Sequence, residues 1–195
     1  MKKLVTLSVL LVMSIVGLIF GYENLKLDEV LENNYIKVPF LSNDEPVVAS
    51  VMTISKPFNN ENVKAEVSYY DSTKESQEKS IIVIDKTYIP NKGILYKSEN
   101  SFEIIAIYDG IVDEIGKDDL LGNFIKIKHD NNLVSIYRIL DDIKVKKGDN
   151  VKKGDKIATS GVSEIKSGNL LLFELKLKES NVNPEEYYDK TIKEI

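Results

Sequence analysis

Few residues in this chain have the chemistry of a catalytic or metal-binding site. His129 is the single histidine and cysteine is absent, which excludes thiolate nucleophiles, Cys-zinc sites and disulfides. The acidic pairs Asp118-Asp119 and Asp141-Asp142 lie beside predicted turns, and neighbouring residues of a strand point to opposite faces. We therefore interpret these acidic residues as solvent-exposed turn residues without a catalytic role, and His129 as a structural histidine. The sequence also contains no G-x-x-x-x-G-K-[ST] phosphate loop.

Short apolar segments separated by glycine-containing turns would position any site in this chain. They predict a mainly β fold, an antiparallel sandwich or barrel rather than alternating βαβ units. A doubled Val-Lys-Lys-Gly-Asp motif at 145–149 and 151–155 predicts two successive turns of this β core. The net charge of −5 disfavours nucleic acid as a partner. The predicted strands cover residues 47–54, 63–70, 81–84, 102–107, 111–115, 124–128, 134–140, 156–158 and 169–177.

The N-terminus predicts a single transmembrane helix. Lys2 and Lys3 precede seventeen uncharged residues, 4–20, a length between those of a spanning helix and a signal-peptide core. Bulky Ile19 spoils a small-x-small cleavage site, and Tyr22 suits the membrane interface. We therefore expect an uncleaved anchor rather than a signal peptide, with the C-terminal domain outside the cytoplasm. The expected organisation is a cytoplasmic tip (1–3), a transmembrane anchor (4–22), a juxtamembrane spacer or short helix (23–46), a β domain (47–188) and a C-terminal tail (189–195).

Three segments of the β region resemble the motifs of LytM-type endopeptidases, the M23 class of zinc metallopeptidases. The family motifs HPGIDI, YAHL and GNHLHFEL correspond to NKGILY at 91–96, YRIL at 137–140 and GNLLLFEL at 168–175. The resemblance implies a LytM-like antiparallel β domain, in which Glu174 has a groove or edge role. The doubled turn motif also resembles biotinyl and lipoyl carrier domains, but the Glu-Ala-Met-Lys hairpin of those carriers is missing, which disfavours that alternative.

The same resemblance implies which residues occupy the positions of the family's zinc site. Its three ligand positions hold Asn91, Leu95 and Leu172, and its two catalytic histidine positions hold Ile139 and Leu170. Zinc ligands in proteins are histidine, cysteine and carboxylate side chains, and leucine and isoleucine have no lone pair to donate. We therefore expect no metal, no cofactor and no peptidase activity.

The N-terminal half of the β region narrows the resemblance to the stage II sporulation protein Q family of endospore-forming bacteria. The matching segments are ISKPF at 54–58, 63–67, SYYD at 68–71 and TYIPNKGI at 87–94. This family implies a forespore-membrane protein whose domain lies in the intermembrane space. Its implied partner is a stage III sporulation protein AH-like protein in the facing mother-cell membrane. Engulfment, an intercellular channel, a ring-forming oligomer and contact with peptidoglycan are further implications.

An alternative function is that of a degenerate LytM regulator that binds and activates a cell-wall amidase. Such regulators usually carry coiled-coil heptads, and residues 23–46 are too short for them. Both functions depend on a protein–protein interface, which we expect at an exposed β edge and nearby turns.

Overall fold

The computed structural model describes residues 35–37, 48–50, 52–72, 77–84 and 86–195. The predicted anchor (4–22) and most of the predicted spacer lie outside these residues. Among the described residues, no helix is long and apolar enough to cross a membrane. The chain divides into two compact units at the boundary between Val51 and Met52.

Fifteen β-strands and three short 3₁₀ helices form the described part of the chain. The strands are β1 (Tyr35–Lys37), β2 (Val48–Ser50), β3 (Lys64–Val67), β4 (Ile81–Ile84), β5 (Thr87–Pro90), β6 (Ile94–Ser98), β7 (Glu103–Ile105), β8 (Gly110–Asp118), β9 (Gly122–Lys128), β10 (Leu133–Leu140), β11 (Asn150–Val151), β12 (Lys156–Thr159), β13 (Gly161–Ser163), β14 (Lys166–Leu177) and β15 (Ser180–Val182). The 3₁₀ helices are Gln77–Ser80, Pro184–Glu186 and Ile192–Glu194. The predicted mainly β architecture is confirmed.

The main sheet of the second unit has nine strands, with the order β11-β8-β9-β10-β14-β6-β3 and with β13 and β15 also pairing with β14. Its pairings are antiparallel, and Phe173 of β14 lies opposite Tyr137 on one side and Ile94 on the other. The hairpin β4-β5 and the pair β7-β12 form separate two-stranded sheets, as do β1 and β2 in the first unit. Strand β14 is therefore the centre around which the domain is built.

Strand β14 is buried on both faces because apolar clusters cover each of them. Leu171, Phe173 and Leu175 belong to the main hydrophobic core. Leu170 and Leu172 point to the other face, where they belong to a second and smaller cluster. A strand that is covered on both sides reads as a continuous apolar run instead of an alternating one, as in the segment Leu-Leu-Leu-Phe.

The doubled Val-Lys-Lys-Gly-Asp motif forms two successive turns, as predicted. In the first turn the Asp149 N–H donates to the Lys146 carbonyl over 3.1 Å, and Gly148 takes φ +92°, which glycine adopts without a Cβ penalty. The Asp149 carboxylate accepts a further bond from the Lys146 N–H, at 2.8 Å. Lys152 and Asp155 repeat both contacts in the second turn, at 3.0 and 2.7 Å.

The last residues of the chain, predicted as a tail (189–195), pack against the start of the second unit. The Ile54 N–H donates to the Lys190 carbonyl and the Asp189 N–H donates to the Ile54 carbonyl, both at 2.9 Å. Ile54 is fully buried and Ile192 is buried against the same core. We name this contact the terminal clasp.

Candidate functional site

A cleft of about 230 Å³ lies over β10 and β14, on the face turned away from the main core. Its floor alternates apolar and charged side chains from these two strands. The hairpin β4-β5 contributes one set of lining residues, and the turn between β8 and β9 contributes another. The lining residues are Ile82, Ile89, Pro90, Asn91, Lys92, Asp118, Leu121, Ile136, Arg138, Leu172, Glu174, Lys176 and Asn181. We name it the floor cleft.

Four of the five sequence-predicted site positions come together beneath this cleft in one apolar cluster. Leu95, Ile139, Leu170 and Leu172 are each at most 2% exposed, and they pack with Val67 and Ile82. Leu95 and Leu172 lie directly opposite each other across the β6-β14 pair. These side chains offer only hydrocarbon, so the cluster contributes burial to stability and has no group that could bind an ion.

Asn91, the fifth predicted position, is buried and fully used in backbone hydrogen bonds. Its Nδ2 donates to the carbonyl oxygens of Val67 and Ser68, both at 3.0 Å. Its Oδ1 accepts from the Gly93 N–H at 3.1 Å. The amide therefore ties the end of β3 to the turn before β6, which is a structural role.

Ile139 has a backbone conformation that isoleucine seldom adopts. Its φ is +63°, within the left-handed region that β-branched residues avoid at a cost of about 1–3 kcal/mol. A register shift between Arg138 and Leu140 marks a bulge at this point, and the Ile139 N–H donates to the Leu121 carbonyl at 2.9 Å. The surrounding strands thus hold a strained backbone at Ile139, the position that the sequence motifs predict for a catalytic histidine of the family.

A charged pair crosses the floor of the cleft beside the apolar cluster. Arg138 Nε donates to Glu174 Oε1 at 2.9 Å, and Glu174 is only 6% exposed. The guanidinium also lies 3.8 Å from Asp118 Oδ2 and 5.3 Å from the centre of the Phe124 ring. Hydrogen bonds from the Leu121 and Leu120 N–H groups lower the pKa of Asp118, and Arg138 lowers it further.

Sequence reasoning predicted a groove or edge role for Glu174 but missed its partner. The signal was present, because Arg138 is the single charge in β10 and Glu174 interrupts the apolar run from Leu170 to Leu175 in β14. Two opposite charges placed in neighbouring buried strands are stable only when they pair. Asn181 was also missed: it lines the floor cleft from β15, and its buried Oδ1 accepts no hydrogen bond from any described residue.

His129 lies away from the floor cleft and has a structural role, as predicted. Its Nδ1 lies 2.8 Å from the Asp109 carbonyl oxygen, which can only accept, so Nδ1 carries the proton. Its Nε2 accepts from the Ser135 hydroxyl at 2.8 Å. Burial lowers the pKa of His129 below its ordinary value, which favours the neutral ring.

The acidic pairs lie at or beside turns, as predicted, with Asp118 at the end of β8. Asp118 Oδ1 accepts from the Leu120 and Leu121 N–H groups at 2.9 Å, while Asp119, Asp141 and Asp142 are exposed. Throughout the described ranges, no group of three or more histidine, cysteine, aspartate or glutamate side chains is placed to hold a metal ion.

Several known proteins are similar to this chain in sequence or in fold. The sequence pattern of peptidase family M23 matches residues 89–184. Stage II sporulation protein Q of Bacillus subtilis (strain 168) is 29% identical over 189 residues, which cover 91% of this chain and 67% of that protein. The murein hydrolase activator NlpD of Escherichia coli (strain K12) is 40% identical over 98 residues, covering 50% of this chain. This chain spans only 26% of the length of that activator.

Among solved structures, a chain of the SpoIIQ–SpoIIIAH pore-forming complex matches with a TM-score of 0.69 and 27% identity. The match covers 74% of this chain and 96% of that one. The predicted LytM-like, antiparallel β fold is therefore confirmed. Residues 89–184 match peptidase family M23, and the chain is similar, along most of its length, to stage II sporulation protein Q.

Proposed function

We propose that this chain is a non-catalytic sporulation protein of the forespore membrane that binds a SpoIIIAH-type partner in the mother-cell membrane. The support is the similarity to stage II sporulation protein Q, which extends over 91% of the chain and so reaches well beyond the M23 segment 89–184. The related complex of known structure joins SpoIIQ to SpoIIIAH. An interface with such a partner is the function that this similarity favours.

The observation that carries the non-catalytic assignment is the apolar cluster under the floor cleft. We assign Asn91, Leu95 and Leu172 to the zinc-ligand positions of the family, and Ile139 and Leu170 to its catalytic histidine positions. Four of these side chains are packed hydrocarbon, and the amide of Asn91 is committed to backbone groups. A domain with this lining has no means of activating a water molecule through zinc.

The proposed organisation places the partner interface between two membranes. Residues 4–22 anchor the chain with its C-terminal side outside the cytoplasm, residues 23–46 act as the spacer, and residues 47–188 form the binding domain. When both partners are tethered in facing membranes, each sees the other at a high effective concentration, so a pair of moderate affinity becomes adhesive. Arrays of such pairs, arranged as rings, would support engulfment and an intercellular channel.

A second candidate function is the activation of a cell-wall amidase, and the observation in its favour is the 40% identity to NlpD. That similarity is confined to 98 residues, which is half of this chain. The similarity to stage II sporulation protein Q includes the N-terminal half as well, which is why we rank the sporulation function first.

One binding experiment separates the two functions. The chain of residues 1–195, solubilised in detergent, is titrated by calorimetry with the soluble domain of the SpoIIIAH homologue from the same genome. A parallel titration uses that organism's cell-wall amidases. We expect a complex of moderate affinity with the SpoIIIAH homologue and none with the amidases. The absence of binding to the SpoIIIAH homologue at tens of micromolar, with both proteins folded, would refute the proposal, and amidase binding would replace it.

A direct assay tests the non-catalytic assignment. The purified chain is incubated with zinc, dialysed to remove free metal and analysed for bound zinc. A second sample is incubated with peptidoglycan. We expect neither stoichiometric zinc nor released muropeptides, and either finding would overturn the assignment.

A further inference from the structure

A buried hydrogen-bond network passes through His129, and both of its ends lie in the loop between β7 and β8. At one end, the Ile107 N–H donates to the Tyr137 hydroxyl at 3.1 Å, and this hydroxyl hydrogen-bonds with Ser135. Ser135 in turn donates to His129 Nε2 at 2.8 Å. At the other end, His129 Nδ1 donates to the Asp109 carbonyl oxygen, also at 2.8 Å. We name this network the loop tether, because it fastens the loop to strand β10 through both Ile107 and Asp109.

The loop tether has an acceptor for each of its donors only while the imidazole is neutral. The neutral ring donates through Nδ1 and accepts through Nε2, whereas the protonated ring donates through both atoms. The Nε2–H group then meets the Ser135 hydroxyl, which has to accept and so leaves one hydroxyl proton of the network without its acceptor. Ser135 and Tyr137 are completely buried, and burial raises the pKa of Tyr137 to about 12, so the phenol keeps its proton. A buried donor without an acceptor is unfavourable, and protonation therefore favours breaking the tether.

The ring of His129 has little room to adjust in place. A Cβ on Gly110 would lie 2.7 Å from His129 Nδ1, so the start of β8 packs directly against the imidazole. The Tyr108 ring covers the imidazole edge-on, with 6.4 Å between the ring centres. One side opens into a surface cleft of about 340 Å³, which His129 lines together with Asp109 and Asp130. A protonated ring that leaves the tether would enter this cleft, beside two acidic residues.

Burial is the largest influence on the proton affinity of His129. It lowers the pKa of the ring, whereas the hydrogen bond to the Asp109 carbonyl and the charges of Asp130 and Asp109 raise it. Lys152 Nζ lies 2.7 Å from Asp109 Oδ2 and offsets part of that negative charge. Other titratable side chains on the elements that pack against the ring are Tyr108, Lys128 and Tyr137. A ring that leaves its buried position therefore binds a proton more tightly.

The loop tether is connected to both sides of the terminal clasp. The Ile107 carbonyl accepts from the Ser55 N–H at 3.0 Å and from the Ser55 hydroxyl at 3.1 Å, and Ser55 adjoins the N-terminal side of the clasp. Two residues after His129, Asn131 Nδ2 donates to the Ile192 carbonyl at 2.6 Å on the C-terminal side. His129 therefore joins the two segments that hold the clasp together.

We propose that protonation of His129 is a pH-sensitive switch, which breaks the loop tether and opens the terminal clasp. With a neutral ring the clasp is closed, and acidification of the compartment around the domain releases residues 189–195 from the start of the second unit. The switch does not depend on the proposed partner, and none of the tether residues is among those that line the floor cleft.

Linkage fixes the sign and the size of the effect. The ring has a lowered pKa in the closed state, and in the open state it titrates at the ordinary histidine value of about 6.5. The closed state is therefore fully favoured above about pH 6.5, and opening increases as the pH falls from there toward the pKa of the closed state. Between pH 7.5 and 5.5 the opening equilibrium rises by up to about tenfold.

Hydrogen exchange of the backbone amides measures this opening. The chain of residues 1–195 in detergent is exchanged at pH 7.5, 6.5 and 5.5, and each rate is divided by the rate of an unstructured peptide at the same pH. We expect the corrected rates of peptides covering 53–56, 106–110 and 189–194 to rise severalfold, up to about tenfold, between pH 7.5 and 5.5. A peptide covering β5 should not change, because the local opening of the β4-β5 hairpin leaves the tether intact. Corrected rates that do not rise in the three clasp and loop peptides would overturn the proposal.

An NMR titration of the imidazole provides an independent reading of the same event. His129 is the single histidine of the chain, so labelled histidine gives one resonance and no other side chain has its ordinary pKa in this range. We expect its midpoint to lie below about pH 6.5, and the corrected exchange rates to level off near that midpoint. A midpoint at or above about 6.5 would refute the proposal, because the closed state would then tolerate the charged ring.

His129→Gln separates the switch from other effects of acid. Its amide donates and accepts hydrogen bonds but does not titrate. We expect the corrected rates of the clasp peptides in this variant to agree within about twofold at pH 7.5 and 5.5. The same rise as in the parent chain would show that another group controls the clasp. If the variant does not fold, the comparison of exchange with the imidazole titration in the parent chain decides between the outcomes on its own.

Discussion

Leu172→His gives the strongest test of the apolar cluster, because it places histidine, the ligand that the family resemblance implies at this position, where the side chain is only 2% exposed. The imidazole is similar to leucine in volume, so the change exchanges hydrocarbon for polar atoms without gross overpacking. Losing the leucine burial costs about 2 kcal/mol, and an unpartnered ring N–H adds about 1–3 kcal/mol. Partial relaxation toward the floor cleft reduces the sum, and we expect the free energy of unfolding to fall by about 2–4 kcal/mol.

The expected loss can be read as a shift of the thermal midpoint. A unit of this size loses about 3 °C per kcal/mol, so Leu172→His should lower Tm by about 6–12 °C in differential scanning calorimetry. Arg138 lies opposite Leu172 across the β10-β14 pair, so a protonated imidazole would face a guanidinium. We therefore expect the loss to grow as the pH falls below about 6.5, the ordinary pKa of histidine.

Two controls isolate the effect of polarity at this position. Leu172→Met keeps an apolar side chain and should cost less than about 1.5 kcal/mol. Val162→His adds the same imidazole at a site that is 78% exposed and should leave Tm within about 1–2 °C. If Leu172→His melts within about a degree of the parent chain, then Leu172 is not buried, and the reasoning about a filled site is refuted.

Three further predictions concern stability. Burial lowers the pKa of His129 in the folded state. The contribution of His129 to the free energy of unfolding is therefore complete above about pH 6.5, the pKa in the unfolded chain. That contribution declines as the pH falls from there toward the lower pKa of the folded state. Scanning calorimetry between pH 7.5 and 5.5 should show a smaller loss for His129→Gln, which cannot titrate; equal slopes would contradict this. A Cβ on Gly93 would lie 2.0 Å from the Phe173 carbonyl oxygen. Gly93→Ala should therefore lower the free energy of unfolding in urea by about 3 kcal/mol. An unchanged free energy would show that the two strands do not approach each other so closely. Asn91→Asp removes the donor to the Val67 and Ser68 carbonyls, so the free energy of unfolding in urea should fall by about 1–3 kcal/mol. An unchanged urea midpoint would show that this amide does not hold the end of β3 to the turn before β6.

The long apolar strands were predictable because local periodicity and length define them. The predicted segments 134–140 and 169–177 lie within or nearly fill the observed β10 and β14. Strand β6, which pairs directly with β14, was not predicted. Its residues are buried on both faces, so they lack the alternation that marks a half-exposed strand, and the preceding Pro90 and Gly93 read locally as a turn.

The motifs singled out Leu95, Ile139, Leu170 and Leu172, which the structure brings together, but they did not predict how these side chains pack. The sequence placed Leu170 and Leu172 on one face of a strand, which the structure confirms. That Val67 and Ile82 complete the cluster depends on contacts between distant parts of the chain. The left-handed conformation of Ile139 had no local signal either, since isoleucine is a poor residue for it.

The terminal clasp has a practical consequence for work on this protein in cells. The hydrogen bonds between Ile54 and residues 189–190 bring the C-terminal segment beside the point where the chain leaves the second unit toward its N-terminus. A fluorescent protein or affinity tag fused after Ile195 would therefore be attached close to these hydrogen bonds, where it could disturb the clasp. A tag inserted in the exposed turn at Asp119 and Leu120 would leave the clasp intact, so reporters of localisation are better placed there.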